Sequence, residues 1–437
     1  MVQLNNTFEQ LGPNDRPSSA STAKTARPRP ATTSASSSSV IAPLSPSTTR
    51  LLTLLSLLFR PLRLSPSFLP ALQTVKSLLF SKDYLRAFGS EGEEGERWRE
   101  VYVSRWTPAR AVVYARVFEE CRLAEALGWA GEAGGEAGLG EGEREERELK
   151  RERERAKRRR EWKKGGKTAA EIEALEKAMD KAEVEASQAG SNEAAGEVPE
   201  EHDVLMIGAG AGGEVLALGA ALGAAAEKEA APTKRPRVKV QVVDQGAWGR
   251  LLEKMAEGLR GEWQALSSPS STTSADDCVS NTPHPFSVNF SQSDVLSPSS
   301  PLPSPSSPGG YRLITILYTL TELLLQSRPS TLSLLRKFSL PSFSSSGTLL
   351  LIVESASLAL IPLGSSGRTY PLGVLLDHAL CGAPGKEEEG QWERLRAEEG
   401  KWYRMPAGAE EAYNPVGSGQ KIALENARVV LRLYRRK

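Results

Sequence analysis

Residues 203–222 read DVLMIGAGAGGEVLALGAAL, and the fold follows from how this stretch divides. Residues 204–207 (VLMI) form a short continuous apolar run, the pattern of a parallel strand buried on both faces. Gly208, Gly210, Gly212 and Gly213 follow in a turn, and a helical pattern starts at Glu214. Glycines at such a turn let the backbone adopt left-handed torsions and let a ligand approach without meeting a Cβ. The next strand, 238–243 (VKVQVV), ends in Asp244, where a carboxylate is placed to accept hydrogen bonds from a ribose diol.

The alternation continues downstream. Residues 287–290 (SVNF), 313–317 (LITIL) and 348–353 (TLLLIV) read as further strands, with helical patterns between. Residues 427–434 (ARVVLRLY) read as a sixth or seventh strand, antiparallel at the sheet edge. Together these predict an α/β Rossmann-like domain over 201–437, built on a mostly parallel sheet. Low-complexity inserts at 224–237, 267–285 and 297–310 are expected to be disordered loops, which chain entropy tolerates cheaply.

Upstream of the sheet, residues 1–65 read as a disordered tail rich in Ser, Thr and Pro. Residues 66–127 read as a small helical domain, with Leu72, Val75, Leu78, Leu79, Leu85 and Phe88 at helical spacing. Within it, Thr107 and Pro108 suggest an N-cap and a fresh helix start. Residues 128–200 are a charged low-complexity insert holding a basic run at 150–167. That run reads either as a solvated charged helix or as a nuclear import signal that also touches RNA phosphates, and the two are compatible.

The 55 Lys+Arg and 54 Asp+Glu leave a net charge of +1, so bulk electrostatics select no class of partner. Cys121, Cys278 and Cys381 form no CxxC pair, which argues against a zinc site or a disulfide framework and for a reducing compartment. The apolar run 51–59 (LLTLLSLLF) is far short of the roughly 20 residues that cross a bilayer. The first fifty residues also have the composition of a mitochondrial transit peptide, although no amphipathic Arg-bearing helix is visible there. No membrane partner and no metal are expected, and the chain reads as a monomer.

The glycine string satisfies both GxGxxG, the dinucleotide fingerprint, and GxGxG, the form common in S-adenosylmethionine sites. Glu214 separates them. A dinucleotide rests its pyrophosphate on the helix N-terminus, and an anionic side chain in that first turn opposes it. S-adenosylmethionine has no phosphate and carries sulfonium and ammonium cations. A solvent-facing helix-dipole glutamate is the plainer reading of Glu214. Asp294, in SQSDVL after the third strand, is placed beside an adenine or is simply a cap. Trp248 either packs over the adenine or anchors the next helix.

In an open α/β sheet the acceptor meets the carboxyl end of the fourth strand, here Tyr318 to Glu322. No cysteine lies near it, which argues against methylation of a pyrimidine carbon. No [DNS]-P-P-aromatic tetrad is present, which argues against exocyclic amines. A ring nitrogen, an oxygen or a protein side chain remain. Glu322 is the group able to position or deprotonate an acceptor N–H, or it is an ordinary first-turn glutamate. His378, beside Asp377 in a helical stretch, reads as a structural histidine.

At this level of detail the chain resembles the fungal S-adenosylmethionine-dependent methyltransferases that modify 25S rRNA at uridine N3. The resemblance is carried in order by LQTVKSLLFSKDYLRAFG, RWTPARAVVYARVF, VLMIGAGAGGEVLAL, VQVVDQGAWGRLL, FSQSDVL, LITILYTLTELL, LLLIVES, TYPLGVLLDHAL, KWYRMP and LENARVVLRLYRR. The chain departs from it in the long charged insert and in Thr321, where Asn is expected before Glu322. What the resemblance implies is a class I fold on a seven-stranded, mostly parallel sheet, and methyl transfer to N3 of a uridine in 25S rRNA or a pre-ribosomal large subunit. It implies a nucleolar setting, with the cytoplasm as the alternative. The cofactor residues would be Gly208, Gly210, Gly212, Gly213, Asp244 and Asp294. Glu322 would act at the acceptor, and Arg428, Arg432, Arg435 and Arg436 are candidate RNA contacts. A protein methyltransferase docking through the helical block, an inactive ribosome-assembly factor and a nicotinamide enzyme stay open as other readings.

Overall fold

The computed structural model describes residues 43–129, 200–228, 235–267, 286–299, 301–363, 368–383 and 390–437, with isolated positions between 160 and 171. One compact unit comprises Met1–Trp129, Glu201–Ala230 and Pro236–Lys437, and a second comprises Ala130–Glu200 and Ala231–Arg235. The helical block expected as a separate domain therefore shares one unit with the sheet. The basic run and the insert at 267–285 lie almost wholly outside the described residues.

The first unit starts with helices α1 (Pro46–Leu64), α2 (Phe68–Phe80), α3 (Tyr84–Gly89), α4 (Gly92–Glu120) and α5 (Leu123–Ala126). Helix α1 corrects the reading of 1–65 as a tail. Ser45 caps it by accepting from the Thr48 N–H at 3.2 Å, and Pro46 occupies the first turn. Leu51, Leu52, Leu54, Leu55 and Phe59 are buried, each side chain contributing about 1.5–3 kcal/mol of transfer free energy. In the following helices Leu72, Val75, Leu78, Leu79 and Phe88 are buried as their spacing predicts, while Leu85 is exposed.

Helix α4 does not restart at Pro108 but runs straight through it. Proline lacks an N–H, so the carbonyl of Ser104 loses its helical donor. The Tyr413 hydroxyl supplies a replacement at 2.6 Å. Thr107, expected as an N-cap, instead donates its hydroxyl to the carbonyl of Ala211 in the glycine turn at 3.0 Å. This bond ties the helical block to the end of the first strand.

The sheet contains β1 (Glu201–Ile207), β2 (Arg237–Asp244), β3 (Phe286–Gln292), β4 (Tyr311–Leu317), β5 (Leu349–Ser355), and, after a separate hairpin of β6 (Leu360–Leu363) and β7 (Arg368–Pro371), β8 (Trp392–Tyr403) and β9 (Ala427–Arg436). Its order is β3-β2-β1-β4-β5-β9-β8. The first five strands pair in parallel, and β9 runs antiparallel to both β5 and β8. This is the expected seven-stranded, mostly parallel sheet, with one correction: β9 is an interior strand, and the edge belongs to β8.

Helices α6 (Gly213–Lys228), α7 (Gly249–Ser267), α8 (Leu320–Gln326), α9 (Arg328–Lys337), α10 (Leu372–Cys381) and α11 (Ala409–Tyr413) complete the unit. Alternation along β1 assigns two cores. Val204 and Met206 pack with α6, α7 and the N-terminal helices, while Leu205 and Ile207 pack with α8, α9 and α10. Both faces are covered, which is why β1 reads as continuously apolar.

Two of the three expected loops are shorter or more ordered than expected. Helix α6 extends to Lys228 and β2 begins at Arg237. The 297–310 segment packs against the sheet: Leu302 is buried, the Ser306 hydroxyl and the Ser307 N–H donate to Asp203, and Tyr311 donates to the Pro303 carbonyl at 2.7 Å. Asp203 is fully buried and needs those donors, so an otherwise low-complexity segment acquires a fixed course.

Candidate functional site

Gly208 leaves β1 with φ +73°, and its N–H donates to the Val243 carbonyl at 2.8 Å. Gly212 has φ +75°. Both conformations disfavour any side chain, and a Cβ would in addition strike Thr319 at Gly208 and Met255 at Gly212. At Gly210 a Cβ would collide with the Trp248 ring. The turn is therefore compressed between the start of α8, the second βα loop and α7.

Asp244, at the end of β2, is 4% exposed and takes three donors: the Gly210 N–H at 3.1 Å, the Gly246 N–H at 2.8 Å and the Trp248 indole N–H at 3.1 Å. Burial raises its carboxyl above the ordinary range, against those donors. Of the two readings of Trp248, the structure gives the anchor. The ring is buried against Phe88 and Tyr102, with centroids 5.1 and 5.9 Å away.

Two cavities meet at Gly208 and Asp244. One runs along the glycine turn and is walled by Gly212, Gly213 and Glu214 of the turn and by Tyr102, Arg110 and Tyr114 of α4. The other lies beyond the β2 and β4 ends and is walled by Gln245, Asp294, Val295, Thr319 and Glu322. Gly210 contributes its N–H to Asp244. The structure thus gathers Gly208, Gly210, Gly212, Gly213, Asp244, Asp294 and Glu322 around one double cleft.

Asp294 accepts from the Leu296 N–H at 2.9 Å and so also closes its own turn. Glu322 sits in the first turn of α8. Burial, reinforced by the neighbouring Glu354 carboxyl, pushes its carboxyl up to about 8. Thr321, which stands where Asn is expected, donates its N–H and hydroxyl to Glu354 at 3.2 and 3.0 Å. It braces the fully buried Glu354 and holds the β5 end to the start of α8. Tyr318, the last residue before this turn, has φ +56°. A bulky residue in the left-handed region stores about 1–3 kcal/mol of strain, as functional sites commonly do.

Glu214 corrects the plainer expectation for it. The side chain is not solvent-facing but 2% exposed, accepting from the Thr315 hydroxyl at 2.6 Å, and burial pushes it up to about 8. The candidate RNA contacts are engaged elsewhere. Arg432 is 2% exposed and pairs with Glu399 and with Asp377, so it cannot reach a phosphate. Arg435 pairs with Glu393 at 2.6 Å, Arg428 donates to the Gly400 carbonyl, and Arg436 donates to the carbonyls of Gln391 and Ser339. All four chiefly fasten β9 to its surroundings, and none lines either cavity. His378 is an exposed residue of α10. Sequence reasoning passed over Tyr102, Arg110 and Tyr114, whose signal was the four-residue series Tyr102, Trp106, Arg110, Tyr114 in YVSRWTPARAVVY.

Among the described residues, no group of three or more His, Cys, Asp and Glu side chains is arranged to hold a metal, and no helix is long and apolar enough to cross a membrane. The cleft fits S-adenosylmethionine on its own chemistry. The glycine turn has no room for a Cβ, a buried carboxylate stands at the ribose position, and Glu214 walls the helix N-terminus where a pyrophosphate would have to sit.

The chain is 25% identical over 375 residues to a Saccharomyces cerevisiae protein named 25S rRNA (uridine(2843)-N(3))-methyltransferase, an alignment covering 83% of this chain and 76% of that one. Among solved structures, an Escherichia coli rRNA methylase is similar at 14% identity and a TM-score of 0.24, covering 59% of this chain and 64% of that one, just under two thirds of its length. The 16S rRNA methylase RmtB is similar at 12% identity and a TM-score of 0.24, covering 85% and 98%. A family model described as "Putative SAM-dependent methyltransferase" matches residues 56–435, from the middle of α1 to the end of strand β9, and the chain belongs to that family of S-adenosylmethionine-dependent methyltransferases.

Proposed function

We propose that the protein methylates N3 of a uridine in large-subunit rRNA, acting in the nucleus on 25S rRNA or on a pre-ribosomal particle. The observation that carries this reading is the position of Glu322: a half-buried glutamate in the same cleft as Asp244 and Asp294, at the carboxyl end of β4. The name of the yeast relative supports the choice of acceptor.

When bound, S-adenosylmethionine supplies an electrophilic methyl on a sulfonium whose leaving group is a neutral thioether. The protein has to present the acceptor in line and remove one proton. Uracil N3–H is weakly acidic, and Glu322, in its ionised form, accepts that proton as N3 takes the methyl. The raised pKa suits the task, because a carboxylate at about 8 is a far better base than one at its ordinary value. Asp244 holds the ribose and the glycine turn leaves room for the donor chain, so two substrates are fixed relative to each other. Such positioning supplies up to about 7–11 kcal/mol of barrier lowering in two-substrate reactions. An unpaired uridine, splayed from its strand, is the form of RNA that reaches a cleft of this depth.

The test is transfer of a labelled methyl group from S-adenosylmethionine by purified protein into total RNA and total protein. Label in RNA, released on digestion as N3-methyluridine, is the expected result. Label confined to protein overturns the reading in favour of a protein acceptor.

A further inference from the structure

Helix α4 places Tyr102, Trp106, Arg110 and Tyr114 at four-residue intervals, so they form one stripe along the helix. Tyr102, Arg110 and Tyr114 of that stripe wall the cavity beside the glycine turn. The Arg110 guanidinium donates to the Tyr102 hydroxyl at 2.7 Å and lies over the rings of Tyr102 and Tyr318, 5.8 and 5.6 Å from their centroids. No carboxylate among the described residues lies within ion-pair distance of it. A guanidinium has five donors in a planar fork and keeps its charge under all ordinary conditions. Aromatic faces compensate only part of the cost of burying that charge.

Glu214 walls the same cavity from the first turn of α6. It accepts from the Thr315 hydroxyl, and no cation among the described residues pairs with it. One small cavity thus holds a half-buried guanidinium and a buried carboxyl that are not paired with each other. Folding alone gains nothing from that arrangement, since each group carries a desolvation cost that a direct pair would reduce. A ligand bearing both charges on one carbon satisfies both. The part of S-adenosylmethionine farthest from its adenine is an α-amino acid, with an ammonium and a carboxylate on the same carbon.

We propose that Arg110 receives the α-carboxylate of the methyl donor and Glu214 its α-ammonium. The assignment rests on the reading of the glycine turn and Asp244 as the donor site. It makes α4 part of that site, so that the donor bridges the N-terminal helices and the glycine turn. It also sets specificity: the donor is selected by its amino-acid end as well as by its nucleoside.

The experiment is calorimetric titration of the full-length protein and of Arg110→Met and Glu214→Gln with three probes. S-adenosylhomocysteine carries the whole amino acid, decarboxylated S-adenosylmethionine lacks the carboxylate, and 5′-methylthioadenosine lacks both charged groups. Arg110→Met is expected to weaken S-adenosylhomocysteine about 10- to 100-fold, the worth of hydrogen bonds to a charged group. It should leave decarboxylated S-adenosylmethionine and 5′-methylthioadenosine within twofold. Glu214→Gln is expected to weaken both ammonium-bearing probes and to spare 5′-methylthioadenosine. If Arg110→Met does not fold, Arg110→Lys, which loses the fork but keeps the charge, is read in the same way. Parallel losses for all three probes mark a purely structural role and overturn the assignment, as does unchanged affinity for S-adenosylhomocysteine. A wild-type protein that binds 5′-methylthioadenosine and S-adenosylhomocysteine equally overturns the assignment but leaves the donor site standing. Wild-type protein that binds no probe at all overturns the donor site, and the assignment with it.

Discussion

The Tyr413 hydroxyl donates to the carbonyl oxygen of Ser104 at 2.6 Å, one helical turn before Pro108. The proline removes the donor this carbonyl would have had inside α4, and a residue three hundred positions away restores it. Tyr413→Phe should cost about 1–3 kcal/mol, because it leaves a buried acceptor unsatisfied while keeping the ring. In a Pro108→Ala background the helix supplies its own N–H, and the same substitution should cost clearly less. Denaturant unfolding of the four proteins measures the difference; equal costs in both backgrounds would mean that the hydroxyl and the proline are not linked.

Gly210→Ala tests the compression of the turn. A methyl there collides with the Trp248 ring, and Trp248 in turn donates to Asp244. The expected result is a loss of S-adenosylhomocysteine affinity of roughly 100-fold or more, together with a lower Tm, since overpacking a tight site costs about 1–3 kcal/mol. Gly261→Ala, on α7 with nothing within 4 Å of the added carbon, is the matched control. It should bind normally.

Methyl transfer should rise with pH. Glu322 serves as a base only when ionised, and burial and Glu354 hold its carboxyl up at about 8. The single-turnover rate is therefore expected to climb about tenfold per pH unit below 8 and to level above it. Glu322→Gln should lower the rate by at least about 100-fold and remove the pH dependence, with donor affinity little changed. A flat wild-type profile between pH 6 and 8.5 would contradict a proton-accepting role.

Stability should move the opposite way. Glu214 and Glu322 bind a proton up to about pH 8 in the folded protein, against 4.5 as their ordinary value. Between those limits the folded state holds more protons than the unfolded state, so stability falls as pH rises from about 4.5 to about 8 and is fully retained below that window. Glu214→Gln and Glu322→Gln should each flatten this fall. Tm measured from pH 5 to pH 8.5 checks it, and a wild-type Tm that rises across the window would contradict the sign.

Arg432→Ala should behave as a stability variant and not as an RNA variant. It strips the buried partner from Asp377 and Glu399, with an expected cost of about 1–3 kcal/mol. Arg435→Ala removes only a half-exposed pair with Glu393 and should stay within about 0.5 kcal/mol. Neither should change the salt dependence of RNA binding; a slope reduced by about one would mark a lost phosphate contact and contradict this placement.

What could be read from the chain beforehand follows from how local each signal is. Strands β1, β4 and β5 are buried on both faces and announce themselves as apolar runs, while β2 shows itself by alternation, its Arg237, Lys239 and Gln241 side only half-buried. The glycine turn and Asp244 belong to one strand–turn–helix–strand motif, so those site residues were legible from spacing alone. Strand β8 was not. WERLRAEEGKWY is an edge strand with buried anchors only at Trp392 and Tyr403, and two register shifts break its alternation. Helix α1 was hidden by the Ser, Pro and Thr that flank it, since its burial is against α4, α6, α7 and α11, elements distant in sequence. Arg110 looked like any helix arginine, because what makes it part of the cleft is a glycine turn one hundred residues downstream. The burial of Glu214 depends in the same way on Thr315 of β4.

The most direct measurement of the central claim is quantitative mapping of N3-methyluridine in large-subunit rRNA. The source is cells that lack this protein, complemented with the wild-type chain or with Glu322→Gln. One N3-methyluridine should vanish on deletion, return with the wild type and stay absent with Glu322→Gln. An unchanged N3-methyluridine content in the deletion strain would contradict the account.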